Sequence, residues 1–215
     1  MKLLNRSFSP KNVSANSRRT SWAVAGLALF LTLSLVNPAM AQDGDDRKTK
    51  QTVAMSQPVY EALMEIQEFV EAEDFANAQA AITKLQEKKK LSPYENAQIW
   101  NISGYSYYLQ ERYPDAIRSY ERVLQQPELP EALTQSTLKT LAQLHFTVEN
   151  YQLALETVER LMAVVAEPAA DIYMLLGQAH FQMGDYEKAI APIKTAIDMF
   201  KDQGRLPREN WLLLL

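Results

Sequence analysis

The sequence predicts an all-α protein, a right-handed α-solenoid of stacked helix-turn-helix hairpins. The main observation is a repeat in which an aromatic residue is followed three positions later by alanine, the four alanines lying 38, 38 and 35 residues apart. A period slightly above about thirty residues is typical of helical hairpins that stack because none can bury its apolar face alone. Regularly placed helix breakers and small residues support the same fold. The four pairs are Phe75–Ala78, Tyr113–Ala116, Tyr151–Ala154 and Tyr186–Ala189.

Helix-breaking residues fall where hairpins should turn and where one hairpin should give way to the next. A proline shortly after a helix is a stop signal. The breakers within hairpins are Glu73-Asp74, Arg112, Glu149-Asn150 and Gly184-Asp185, and those between hairpins are Pro93, Pro127, Pro130 and Pro168. This spacing of helix breakers predicts eight helices in four pairs. The predicted repeats are 59–92, 97–130, 135–168 and 170–203, within a repeat region of 59–204.

Small residues recur at the two points where paired helices should cross. Gly104, Ala142 and Gly177 lie on first helices, opposite the repeated alanines of second helices. Small residues at both points let two backbones approach, while aromatic side chains fill the wedge between the helices.

The second hairpin carries the most complete motif, W-x3-G-x2-Y followed by A-x3-Y. This spacing resembles the tetratricopeptide repeat (TPR), and the other three hairpins repeat it with increasing departures toward the first. The resemblance implies the α-solenoid and a role in protein binding. The expected packing residues of the motif are Ala78, Trp100, Gly104, Tyr107, Ala116, Tyr120, Ala142, Ala154, Tyr173, Gly177 and Ala189.

Residues 1–41 have the pattern of a secretory signal peptide. A basic leader without acidic residues precedes an apolar run, Trp22–Val36, and Ala39-Met40-Ala41 offers the small residues that a signal peptidase reads. The run is shorter than the roughly twenty residues that span a bilayer. We therefore expect cleavage after Ala41, a periplasmic location and no integral membrane segment in the mature protein. An uncleaved anchor and a twin-arginine signal at Arg18-Arg19 are the alternatives.

The segments that flank the repeats have their own patterns. Residues 42–58 are polar and read as a solvated tether. Residues 205–215 resemble the start of a further first helix, with Trp211 at the tryptophan position of the motif. Because four exposed leucines would follow it, we expect the protein to continue with later repeats.

Composition and charge exclude several functional classes. The chain has no cysteine, which excludes disulfides and thiolate metal sites. Five of the 22 basic residues lie in the leader, so 17 face 26 acidic residues in the mature protein, a net charge of about −9. That balance disfavours nucleic acid and anionic lipid as partners. No phosphate-binding loop or catalytic constellation is present, so neither a cofactor nor enzymatic activity is expected.

Two histidines and a lysine run have structural explanations. His145 and His180 occupy equivalent places where the repeat normally has tyrosine, so we interpret them as packing residues instead of ligands or bases. The run Lys88–Lys90 ends a helix, where cations complement the helix dipole.

First helices should line the inner, concave face of the stack, which is the expected protein-binding groove. Rings provide contact area there, and amides provide adaptable hydrogen bonds to an extended or helical peptide. Lys139 and Asn101 are isolated, which disfavours a lysine–asparagine clamp for chaperone C-termini. The expected groove residues are Tyr60, Leu63, Gln67, Val70, Asn101, Tyr105, Tyr108, Leu109, Lys139, Gln143, Phe146, Met174, Gln178 and Phe181.

Three stretches resemble one bacterial subfamily more closely: Asp46–Lys50, Gln125–Glu131 and Glu209–Leu215. The subfamily is the periplasmic TPR protein of proteobacterial TonB energy-transduction systems. The resemblance implies a partner in the TonB–ExbB–ExbD complex, which powers uptake of iron chelates and other scarce nutrients, and it implies no catalytic residues. The other hypotheses are an assembly factor for cell-wall or outer-membrane complexes, an enzyme with its catalytic domain beyond Leu215, and a self-associating array.

Overall fold

The computed structural model describes residues 55–206, which form eight α-helices and no strand. The all-α prediction is therefore confirmed, as is the arrangement of eight helices in four pairs. The expected signal peptide, most of the expected tether and the segment 207–215 lie outside the described residues. The helices are α1 (Gln57–Glu71), α2 (Phe75–Gln86), α3 (Pro93–Leu109), α4 (Tyr113–Leu124), α5 (Glu131–Thr147), α6 (Tyr151–Val164), α7 (Ala170–Gln182) and α8 (Tyr186–Asp202).

The first helix begins two residues before the expected start of the repeats. Pro58 lies in its first turn, where proline is tolerated because the backbone nitrogen there has no partner within the helix. The last residues of the expected tether are thus part of α1.

Each hairpin turns through a left-handed residue at the same place in the repeat. The φ angle is 57° at Glu73, Glu111 and Glu149, and 81° at Gly184. In the second hairpin, the N–H of Glu111 donates to the carbonyl of Tyr108, and the next N–H donates to the carbonyl of Tyr107, both at 2.9 Å. The other three turns have the same pair of bonds, which is the Schellman ending of a helix. One turn geometry is therefore used four times.

The hairpins stack in chain order. The two helices of each hairpin pack together, and the second helix of each packs on the first helix of the next: α2 on α3, α4 on α5, and α6 on α7. First helices also contact each other, α1 with α3 and α5 with α7. These contacts are those expected if first helices line the inner side of a curved stack.

Two glycines lie where paired helices approach most closely. A Cβ atom added at Gly104 would lie 2.9 Å from the ring of Tyr120, and one added at Gly177 would lie 2.4 Å from Cγ1 of Ile193. Contacts below about 3.0 Å require atoms to move. Only glycine therefore fits at these positions without a shift in the opposite helix.

The motif residues divide between full and partial burial. Trp100, Tyr107 and Tyr173 are half-buried and pack against the core clusters. Tyr107 also donates a 2.9 Å hydrogen bond from its hydroxyl to Oε1 of Gln79 in the preceding repeat. The remaining motif residues are buried: Ala78, Gly104, Ala116, Tyr120, Ala142, Ala154, Gly177 and Ala189.

Candidate protein-binding surface

Four residues expected in the groove are buried in the protein itself. Leu63 and Val70 are 5% and 1% exposed and pack with Ile99 and Ile102 of α3, because α3 lies against both helices of the first hairpin. Met174 is 5% exposed and belongs to the core between α7 and α8. Asn101 is 8% exposed on α3 and is the fourth. These side chains support the stack and present little surface to a partner.

The other expected groove residues keep part of their surface open, and they lie on first helices of all four repeats. Leu109 is exposed, and the rest are half-buried: Tyr60, Gln67, Tyr105, Tyr108, Lys139, Gln143, Phe146, Gln178 and Phe181. Tyr105 also packs against the core of the first repeat. The set gives a surface of rings and amides with one cation.

That cation is paired within the protein. The ammonium of Lys139 on α5 donates to Oδ2 of Asp171 at the start of α7, and the two side chains are about equally exposed. The pair ties two first helices together across the groove. Because the charge is already balanced, Lys139 is a poor anchor for the terminal carboxylate of a peptide.

The side-chain amides of the groove differ in whether they are free to form hydrogen bonds with a partner. The side chain of Gln67 donates to Oε1 of Glu71 at 2.7 Å. The side-chain amides of Gln143 and Gln178 form no hydrogen bond within the part of the chain that the structure describes. These two residues occupy the same position in successive repeats, 35 residues apart. Each therefore offers an open donor and an open acceptor.

Three groove rings pair with the first residue of the next helix. Tyr108 and Tyr113 have ring centroids 6.1 Å apart with planes inclined at 52°. Phe146 and Tyr151 repeat this arrangement at 6.2 Å and 51°. Phe181 and Tyr186 lie 5.3 Å apart, edge to face. Tyr108, Phe146 and Phe181 are thus each held by a partner across the hairpin turn that follows them.

The histidines contribute packing, not a binding constellation. His145 is 3% exposed, and its Nδ1 has no hydrogen-bond partner. Burial lowers the pKa of His145, although the nearby carboxylates of Glu121 and Glu156 act to raise it. The Nδ1 of His180 lies 3.8 Å from Oδ2 of Asp185. Within residues 55–206, no group of three His, Cys, Asp or Glu side chains could hold a metal ion.

Sequence reasoning missed two features of this surface. The ion pair with Asp171 joins residues 32 positions apart, and no local pattern identifies such a partner. The ring pairs could have been read from the sequence, because in three repeats two aromatic residues lie five positions apart on either side of the turn. As for membrane contact, none of the helices in the described range is both long and apolar enough to cross a bilayer.

Comparisons with known proteins agree with this architecture. Two models of the tetratricopeptide repeat match adjoining stretches, residues 63–132 and 133–202. No curated protein sequence matches the chain. The chain resembles the solved structure of MamA (41-end) from Desulfovibrio magneticus RS-1 at 20% identity, with a TM-score of 0.54 over 68% of this chain and 77% of that one.

Two further solved structures share the fold. The apo form of RapI has 16% identity and a TM-score of 0.61, over 73% of this chain and 45% of RapI. YrrB, described as a TPR protein with an unusual peptide-binding site, has 15% identity and a TM-score of 0.50, over 71% of this chain and 80% of YrrB. TPR proteins bind protein or peptide partners and are generally non-enzymatic. This chain belongs to the tetratricopeptide repeat family.

Proposed function

We propose that this protein is an exported, non-catalytic scaffold that binds a protein partner in its groove, as an accessory component of a TonB-dependent nutrient uptake system. The observation that carries the binding role is the pair of open amides, Gln143 and Gln178, at one position of two successive repeats. Equivalent positions in a stack face the same side, so one extended segment can reach both.

The chemistry of the groove suits the backbone of a peptide. An extended peptide presents N–H and C=O groups along its length, and a glutamine amide can satisfy either kind. Phe146 lies three residues after Gln143, and Phe181 lies three residues after Gln178, so each amide has a ring on its own helix face. The amides then supply hydrogen bonds, and the rings supply apolar contact area at low entropic cost.

The balanced charge of Lys139 favours an internal segment over a free C-terminus. Capture of a terminal carboxylate requires unpaired cations or a backbone nest. The lysine of the groove, Lys139, already donates to Asp171. We therefore expect recognition of a chain segment without dependence on its terminal charge. The description of YrrB is consistent with peptide binding on this fold.

The periplasmic location and the TonB partner are supported by sequence features. The leader has the order of a secretory signal, with a basic start, an apolar run and small residues at Ala39 and Ala41. The three stretches that resemble the periplasmic TPR proteins of TonB systems supply the candidate partners TonB, ExbB and ExbD. The first test must therefore identify the partner and the surface that it touches in one experiment.

Site-specific photo-crosslinking in the periplasm identifies both the partner and the surface that it touches. A photoreactive residue would replace Gln143 or Gln178 in the full-length protein, and exposed Glu159 on α6 would be the control position. We expect adducts with TonB or ExbD from the two groove positions and none from Glu159. Adducts with cell-wall or outer-membrane assembly proteins would leave the scaffold role and replace the TonB assignment. Equal adducts from all three positions, or none, would refute the groove.

A further inference from the structure

In the second, third and fourth repeats, the end of the first helix carries apolar side chains beside the hairpin turn. We call this group of side chains the turn rim. In each of the second, third and fourth repeats it contains the ring pair across the hairpin turn and one exposed aliphatic side chain. Its members are Tyr108, Leu109 and Tyr113; Phe146, Val148 and Tyr151; and Phe181, Met183 and Tyr186.

The aliphatic members and one ring of the rim are exposed. Leu109, Val148 and Met183 are 39%, 37% and 39% exposed, and Tyr186 is 61% exposed. They make up half of the eight large apolar side chains that are exposed in residues 55–206. Single exposed apolar residues are ordinary, but their recurrence at three successive turns points to an interaction surface. The rim has one such residue beside every ring pair.

The rim is limited to three repeats. The first hairpin has Val70 and Phe75 at the positions of the ring pair, and Val70 is 1% exposed. No ring pair forms at that turn. A partner that recognises the repeated edge would therefore contact repeats two to four.

Carboxylates stand beside the rings at the same turns. Glu111 and Glu149 are the left-handed residues of the second and third turns, and both are exposed. Neither forms an ion pair within residues 55–206. Glu111 is close enough to Tyr113 to help raise the pKa of that phenol, after the larger effect of burial. In the fourth turn, the carboxylate of Asp185 lies 3.6 Å from Lys188.

Two of these turns also carry a cation, Arg112 in the second and Lys188 in the fourth. Arg112 bonds to Asp115 at 2.7 Å, and its guanidinium lies 4.5 Å from the ring centroid of Tyr107. The mature protein also has a net charge of about −9, from 17 basic and 26 acidic residues. The rim therefore combines apolar contact area with the carboxylates of Glu111 and Glu149, which form no ion pair in the described residues.

We propose that the turn rim is a docking edge for a partner segment that alternates apolar and basic side chains. The apolar side chains bury Leu109, Val148 and Met183, and the basic ones sit over the rings and beside Glu111 and Glu149. Cations are attracted both to carboxylates and to the faces of aromatic rings. This proposal rests on the proposed function, because it extends the same partner surface from Tyr108, Phe146 and Phe181 around the hairpin turns.

Labelled synthetic peptides test the proposal with the full-length protein. The probe repeats Leu-Ser-Lys four times. Its comparison peptides replace each lysine with glutamate or each leucine with serine. Fluorescence anisotropy should show binding of the probe and at least about tenfold weaker binding of both comparison peptides. Equal binding of the glutamate peptide would overturn the charge requirement, and no binding of the probe would overturn the docking edge.

Rim variants locate the binding. We expect each of two double variants to bind the probe about tenfold more weakly. They are Leu109→Ser with Met183→Ser, and Glu111→Gln with Glu149→Gln; all four side chains are exposed. The controls are Val164→Ser, as exposed as Met183 at 39%, and Glu159→Gln. An equal loss of probe affinity in the control variants would overturn the assignment of binding to the turn rim.

The two proposals can fail separately. If Gln143→Ala with Gln178→Ala abolishes probe binding while the rim variants do not change it, the rim proposal is overturned and the groove stands. If the probe binds at the rim while photo-crosslinking from Gln143 and Gln178 finds no partner, the rim stands and the proposed groove function is the one that fails.

Discussion

The carboxylate of Glu95 holds the start of the first hairpin to the start of the second. Its Oε1 atom accepts hydrogen bonds from the backbone N–H of Ser56 at 2.9 Å and from the hydroxyl of Ser56 at 2.6 Å, across 39 residues. Its Oε2 atom accepts a bond from the N–H of Ser92, the N-cap of α3. Glu95 is thus both half of a capping box and a bridge between repeats.

Removal of the bridge should destabilise the first hairpin. Ser56→Ala loses the charged hydrogen bond of the hydroxyl, and we expect a cost of about 1 kcal/mol in the free energy of unfolding measured by urea titration. Glu95→Gln leaves one of the three donors without an acceptor oxygen and should cost about 1–3 kcal/mol. The control is Ser136→Ala, whose hydroxyl bonds only to the local carbonyl of Leu133. A Ser56 variant as stable as the control would contradict the bridge.

The bridge also predicts a response to acid. Burial acts to raise the pKa of Glu95, but the hydrogen bonds from Ser56 and Ser92 outweigh it and lower the pKa below the ordinary value. The folded state therefore binds the proton less readily than the unfolded state does. The stabilisation should be complete above about pH 4.3, the unfolded value, and should disappear as the pH falls through the folded pKa. Glu95→Gln should not show this loss.

The crossing of α7 and α8 has no room for a methyl group. A Cβ at Gly177 would lie 2.4 Å from Cγ1 of Ile193 and 3.2 Å from the carbonyl oxygen of Ala189. We expect Gly177→Ala to destabilise the fourth repeat by about 1–3 kcal/mol through overpacking, despite the better helix propensity of alanine. Thermal unfolding followed by circular dichroism measures this.

A paired change tests the cause of that cost. The third repeat carries Ala142 opposite the smaller Val158, both fully buried. Gly177→Ala combined with Ile193→Val copies that pair, and the double variant should lose less stability than the sum of the two single changes. A single variant at least as stable as the parent would refute the close crossing.

Periodicity predicted the helices well because each repeat must meet the same neighbours. The alanine at the crossing and the aromatic residue at the start of each second helix recur in all four repeats, so they can be read from one sequence. The surface was harder to predict. Leu63 and Met174 lie at groove positions of the motif, yet their burial depends on how far the next helix rotates against them. The Lys139–Asp171 pair likewise depends on the spacing between two repeats.

The hairpin turns store a small strain that glycine should relieve. Glu73 adopts φ 57°, a left-handed conformation that costs an L-residue roughly 1–2 kcal/mol. Glycine avoids that cost but loses about 0.5–1 kcal/mol of backbone entropy. We therefore expect Glu73→Gly to stabilise the protein by about 0.5–1 kcal/mol in urea titrations. The same change at Glu68, inside α1, should instead destabilise by about 1 kcal/mol. Loss of stability at both positions would show that the turn is not strained.

The burial of His145 predicts a second, separate pH dependence. Burial lowers its pKa more than the facing carboxylates of Glu121 on α4 and Glu156 on α6 raise it. The unfolded state therefore takes up the proton first, and stability should begin to fall as the pH drops below about 6.5. This range lies above the one in which Glu95 titrates, so urea titrations at a series of pH values can separate the two effects.

Replacement of His145 by phenylalanine should abolish the dependence near neutral pH. The Nδ1 atom is buried without a partner, and such a group costs about 1–3 kcal/mol, so His145→Phe should also raise the stability at pH 7 by roughly 1 kcal/mol. His180→Phe is the matched control, since it changes the equivalent position in the next repeat and leaves His145 in place. A decline below pH 6.5 that persists unchanged in His145→Phe would show that the buried ring of His145 is not its cause.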